Sequence, residues 1–99
     1  MLETLIDCVY RAIDQVNAIL PEDQQLAKAE TTVLFGAEGT LDSMGLINLL
    51  VEVESQVQSA LGKEVSVVDL TLPYLEVQGG GLDVKRLSSI ILTVLDLER

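Results

Sequence analysis

Apolar residues along the first twenty positions fall at Leu2, Ile6, Val9, Ile13, Val16 and Leu20, alternating four and three apart as one buried stripe of a helix requires. Pro21 predicts its end. Residues 21–40 hold no sustained period; a helical turn fits between Asp23 and Ala29, and Thr31, Thr32, Gly36 and Gly39 mark a long ordered loop. Val33, Leu34 and Phe35 are too apolar for water and are expected to fold back and pin that loop. A second helix is predicted from about Ser43 to Ala60, with Leu46, Leu50, Val53 and Val57 in one line and Ile47, Leu49 and Val51 widening it. Its first two turns are apolar nearly all round, which implies either several packing neighbours or a surface for a ligand or partner.

Gly62 is a natural helix stop. Val65 to Leu72 alternates imperfectly and, with no strand to pair with, is expected to be extended chain leading to a short helical turn at Pro73 to Val77. Gly79, Gly80 and Gly81 form an expected hinge, after which Asp83 can cap a last helix buried through Val84, Leu87, Ile91 and Val94, with Ile90 and Leu97 alongside. The expected architecture is an all-α four-helix bundle: three long helices, one short helix and a long first loop. One domain accounts for residues 1–99, since 99 residues bury one core without a staple and leave no room for a second.

Composition narrows the partners. Six basic against sixteen acidic residues give a net charge of −10, which repels phosphate backbones and anionic lipid and argues against nucleic acid. No Lys or Arg falls between Ala29 and Gly62, while Glu30, Glu38, Asp42, Glu52 and Glu54 all do. That acidic half is either a solubilising surface or a docking face for basic partners. No apolar run approaches the roughly 20 residues of a membrane span, and the start lacks a basic leader, so no membrane insertion is expected. The chain is read as a cytoplasmic monomer. Cys8 is the lone cysteine and there is no histidine, which rules out an internal disulfide and a conventional Cys/His zinc site. On a helical wheel Cys8 flanks the apolar face, as an incidental, partly buried thiol would.

The candidate for chemistry is Ser43, in the run Gly39, Thr40, Leu41, Asp42, Ser43, Met44. Without histidine it lacks the usual base for nucleophilic hydrolysis, and Gly79 to Gly81 lacks the strand, lysine and helix context of a nucleotide loop. Three readings remain. Asp42 or Ser43 is an N-cap; or Ser43 is phosphorylated, its phosphate meeting the positive end of a helix; or the same physics holds a phosphodiester-linked prosthetic group.

The run Leu34, Phe35, Gly36, Ala37, Glu38, Gly39, Thr40, Leu41, Asp42, Ser43, Met44, followed by Leu46, Leu49 and Leu50, resembles the phosphopantetheine attachment site of acyl carrier proteins. The residue-level likeness lies mainly at positions 32 to 54, while the layout of helices resembles the family over nearly the whole chain and implies an acyl-carrier-like bundle. The resemblance implies that a phosphopantetheinyl transferase moves 4'-phosphopantetheine from coenzyme A onto Ser43, with magnesium handled in the transferase complex and Asp42 supporting the transfer. It implies no catalysis by the chain and no resident metal. Met44 and Ile47 would be gripped by partners, Glu52 and Glu54 would take the place of recognition acids, and Leu46, Leu50 and Val53 would be core.

Carriers of fatty acid synthesis usually place acids two and five positions after the serine, where this chain has Gly45 and Asn48. A different set of enzymes is therefore expected, in a specialised lipid, polyketide or related pathway: an acyl-loading ligase and enzymes that use the acyl group. The unusually apolar segment Val67 to Val77 would supply a large or mobile lining for an acyl chain. Two alternatives stand beside this: an aminoacyl or peptidyl carrier loaded by an adenylating ligase, and an unmodified acidic helical adaptor.

Overall fold

The structure is a computed structural model that describes residues 2–35, 41, 43–78 and 81–97, with backbone alone at 43, 72, 74–78 and 96–97. Four helices carry the fold: α1 (Leu2–Asn17), α2 (Ser43–Leu61), α3 (Val67–Gln78) and α4 (Val84–Leu97). A helical bundle was expected, and the described residues are mostly helical. To it the fold adds a small antiparallel sheet, β1 (Val33–Phe35) with β2 (Leu82–Asp83), which no local pattern announces.

The buried face of α1 is Leu5, Cys8, Val9, Ala12, Ile13 and Val16. Leu2, Ile6 and Leu20 are only half-buried, so the face is rotated from the expected stripe toward Leu5 and Ala12. This rotation carries Cys8 from the flank into the core, at 1 % exposure. The helix then tightens, with Ile19 N–H bonding the Val16 carbonyl and Leu20 N–H the Asn17 carbonyl, before Pro21 ends it. Asn17 clamps the loop that follows: its Oδ1 accepts the Leu26 N–H at 2.8 Å and its Nδ2 donates to the Leu26 carbonyl at 2.9 Å. The anticipated helical turn between Asp23 and Ala29 is a three-residue 3-10 turn at Glu22–Gln24.

Helix α2 runs almost as expected. Leu46, Leu49, Leu50, Val53 and Val57 are buried against both α1 and α3. It stops at Gly62, which takes φ +67° and donates its N–H to the Gln58 carbonyl at 2.8 Å, a conformation costly for residues with a Cβ.

The third helix corrects the sequence reading. It begins at Val67, six residues before Pro73, and Pro73 lies inside it. Ser66 and Asp69 set the start: Ser66 Oγ donates to Asp69 Oδ2 at 2.8 Å, the Leu70 N–H reaches the Ser66 carbonyl at 3.1 Å, and the first helical N–H, that of Val67, donates to Glu54 Oε1 at 2.8 Å. An alternating apolar run became helix because α3 is covered by both α2 and α4, and burial on two sides erases the one-faced period that marks a surface helix.

Gly79 and Gly80 of the expected hinge lie outside the described residues. Asp83 caps α4 as expected, its Oδ1 accepting the Arg86 N–H at 2.7 Å. The buried face of α4 is Val84, Leu87, Ser88, Ile91 and Leu95, with Val94 half-buried. All four helices meet in one apolar core that also takes in Leu34 and Leu82.

The sheet ties residues 30–35 of the long loop to the head of α4. Val33 pairs with Asp83 and Phe35 with Leu82, so Leu34 is an extra residue on β1, and such a bulge turns a side chain without ending the pairing. Leu34 is fully buried. The Val84 N–H donates to the Thr32 carbonyl at 3.2 Å and the Lys85 N–H to the Glu30 carbonyl at 3.1 Å. The fold-back expected of Val33, Leu34 and Phe35 is thus achieved by joining the loop to the head of α4, shortly before the chain reaches Ser43.

Candidate functional site

Ser43 is the first residue of α2, a helix of 19 residues. Aligned peptide dipoles place the equivalent of about half a positive charge at such an end. Asp42 and the run Gly36 to Thr40 lie outside the described residues. Leu41, between them, is buried at the edge of the core.

Beyond Ser43 the surface of α2 is apolar. Met44 is 68 % exposed, Ile47 36 % and Val51 50 %, spaced three and four apart and so forming one ridge. Leu49, by contrast, is core, as are Leu46, Leu50 and Val53. Of the residues expected to widen the apolar face, Ile47 and Val51 therefore point to solvent. Toward α1 the ridge descends into a shallow groove of about 310 Å³ lined by Gln15, Val16, Ile19, Asn48, Val51 and Glu52. Ile19, 75 % exposed, extends the apolar surface across it; residue order did not mark it, because Leu20 beside Pro21 already completes the apolar stripe of α1.

The two glutamates anticipated beside this surface take different places. At 100° per residue they fall on opposite sides of the ridge. Glu52 is half-buried on the α1 side and lines the groove. Glu54 is half-buried on the α3 side, where one carboxylate oxygen holds the Val67 N–H. Its described contact ties two helices together and shares the Val67 N–H with the Val65 carbonyl, 3.0 Å away; the signal for it was legible as Ser66-Val67-Val68-Asp69, a Ser-x-x-Asp helix start. Glu54→Ala is expected to cost about 1–2 kcal/mol and to speed amide exchange in α3 more than in α1, as hydrogen-exchange mass spectrometry will show.

Cys8 is remote from this chemistry. Its Sγ is 3.7 Å from the Gln56 carbonyl and donates to it across α1 and α2. Burial pushes the thiol pKa up, nearby Arg11 offsets part of that and Asp7 adds to it. A protonated, enclosed thiol is a poor nucleophile. Native protein is expected to alkylate at least 100-fold more slowly than denatured protein at pH 8, a ratio read by intact mass. Because the folded thiol ionises at higher pH than the unfolded one, its contribution to stability is complete below the ordinary thiol range and declines as pH rises through it. Cys8→Ala should flatten that decline in thermal unfolding.

One further side chain stands out. Thr71 in α3 is fully buried and its Oγ1 has no hydrogen-bond partner, a condition that costs about 1–3 kcal/mol. Among the described residues no three His, Cys, Asp or Glu side chains gather where they could hold a metal, and no helix is long and apolar enough to cross a membrane. Compared with known proteins, the chain matches no family model, no curated protein and no solved structure.

Proposed function

We propose that this chain is a stand-alone acyl carrier of the cytoplasm, an acyl-carrier-like bundle that carries its cargo as a thioester on 4'-phosphopantetheine attached to Ser43. The observation that carries the reading is the position of Ser43 at the head of a 19-residue helix, followed at once by the exposed ridge Met44, Ile47 and Val51. The serine offers the hydroxyl a phosphodiester needs, and the helix end offers a field that favours the phosphate's charge. Those two features fit the group.

In the transfer, Ser43 Oγ forms a bond to the phosphorus that bears pantetheine, the diphosphate bond of coenzyme A breaks, and adenosine bisphosphate leaves. The serine proton passes to a base of the transferase, since the chain has no histidine to take it. Asp42, next to the serine, supports positioning during this step. The attached arm supplies a terminal thiol for thioester chemistry. The chain's own residues provide the rest: an apolar ridge for enzymes to grip, and a charge of −10 that steers basic partners toward it. Met44 and Ile47 are the proposed contacts, and Glu52 at the rim is the proposed acid. Loading ligases and acyl-using enzymes are the expected partners, together with the transferase.

The same ridge suits an unmodified acidic adaptor, and the same serine suits an aminoacyl or peptidyl carrier. Incubation with coenzyme A, magnesium and a broad-specificity phosphopantetheinyl transferase separates the first from the others. A carrier gains one phosphopantetheinyl group by intact mass, and an adaptor gains none.

A further inference from the structure

Hydroxyl groups inside helices normally bond to the carbonyl four residues back. Ser88 Oγ donates to the Val84 carbonyl at 2.9 Å and Thr93 Oγ1 to the Ser89 carbonyl at 2.9 Å. Thr71 Oγ1 makes no such bond to Val67 or to any other group, although the residue is 0 % exposed. Its helix packs against α2 and α4, whose buried side chains among the described residues are apolar apart from Ser88. Ser88 has already given its proton to its own helix. One donor and its lone pairs therefore stand unused in an apolar interior, where an unmet hydroxyl is a point of recognition for anything that brings a complementary oxygen.

The helix that bears Thr71 also lacks one rung of its own ladder. Pro73 has no N–H to give to the Asp69 carbonyl, and the first N–H is shared between the Val65 carbonyl and a side chain of α2, Glu54. Ser43 and Glu54 are eleven residues apart on α2, about 16 Å at 1.5 Å per residue, and Thr71 is one turn beyond the residue that Glu54 holds. A pantetheine arm with an acyl chain covers such a span. A chain entering beside α3 would exchange hydrocarbon contacts for hydrocarbon contacts, so only an oxygen along it would meet something not already satisfied.

We propose that Thr71 selects the cargo: it binds an acyl chain bearing an oxygen that accepts a hydrogen bond, such as a 3-oxo or 3-hydroxy acyl group, in preference to a saturated chain. The proposal rests on the carrier reading of Ser43. Thr71 touches the cargo and acts on its placement, and takes no part in forming or breaking the thioester.

The test loads the full chain with hydrolysis-resistant hexanoyl and 3-oxohexanoyl pantetheine arms, confirms each by intact mass, and compares thermal midpoints. One added hydrogen bond in a chain of this size should raise the midpoint of the 3-oxo form about 4–8 °C above the hexanoyl form. Thr71→Val, close in shape, should unfold at a higher temperature than wild type before loading and abolish the difference between cargos. Thr71→Ser should retain the difference. Equal midpoints for the two cargos in wild type, a difference that persists in Thr71→Val, or an unloaded Thr71→Val protein that unfolds earlier than wild type each overturns the inference while leaving the carrier reading intact. Failure to load any arm overturns the carrier reading and this inference with it.

Discussion

Ser43→Ala protein should gain no mass from coenzyme A and transferase, under conditions that convert wild type completely, and should unfold within about 1 kcal/mol of it. Both halves of that expectation follow from position. Ser43 opens α2, and alanine is a good helix former there, so the helix that buries Leu46, Leu49 and Leu50 keeps its core contacts. The hydroxyl, by contrast, is the atom to which phosphorus must bond, and nothing replaces it. If Ser43 only capped the helix, the substitution would produce the small stability change and nothing else. Circular dichroism and intact mass on one sample distinguish these outcomes.

The second large effect is expected at Leu34. Leu34→Ala should cost about 2–5 kcal/mol, the range for truncating an enclosed leucine, measured by urea unfolding. Leu34 is fully buried on the bulge of β1 and belongs to the same apolar cluster as Leu82 and the helices. The strands that present it are three and two residues long, and strands that short owe their pairing to the side chains they bury. The variant should therefore lose protection first at the Val84 and Lys85 amides, which bond the loop carbonyls of Thr32 and Glu30. Transfer to Ser43 should slow as well, because the same segment leads to the serine.

Much of this fold can be read from residue order, and the failures share a cause. Helix α2 was legible at both ends, at Ser43 and at Gly62, because a stop residue with positive φ and a long apolar line are local signals. The sheet was not legible, since Leu82 and Asp83 become a strand only by meeting Val33 and Phe35 about fifty positions earlier. Pro73 misled for a related reason: its preference for a first helical turn is local, whereas the start at Val67 is held in part by Glu54, thirteen residues away. The position of Ser43 at a helix head was legible from the turn-forming residues before it and the apolar run after it. Which side of that run faces water was not. Ile47 and Val51 are as apolar as Leu46 and Leu49, and only the placement of α1 and α3 leaves the first two outside. The unmet hydroxyl of Thr71 was equally hidden, because a threonine in an apolar segment gives no sign of what its oxygen will find.

The most direct test of the account is fragment-ion mass mapping of transferase-treated protein. No Lys or Arg lies between Lys28 and Lys63, so trypsin releases one peptide that holds Ser43 together with Ser55 and Ser59, and fragment ions must divide them. The account predicts a single phosphopantetheinyl group localised to Ser43. A chain that stays unmodified beside a fully converted control carrier, or that carries the group on Ser55 or Ser59, would contradict it.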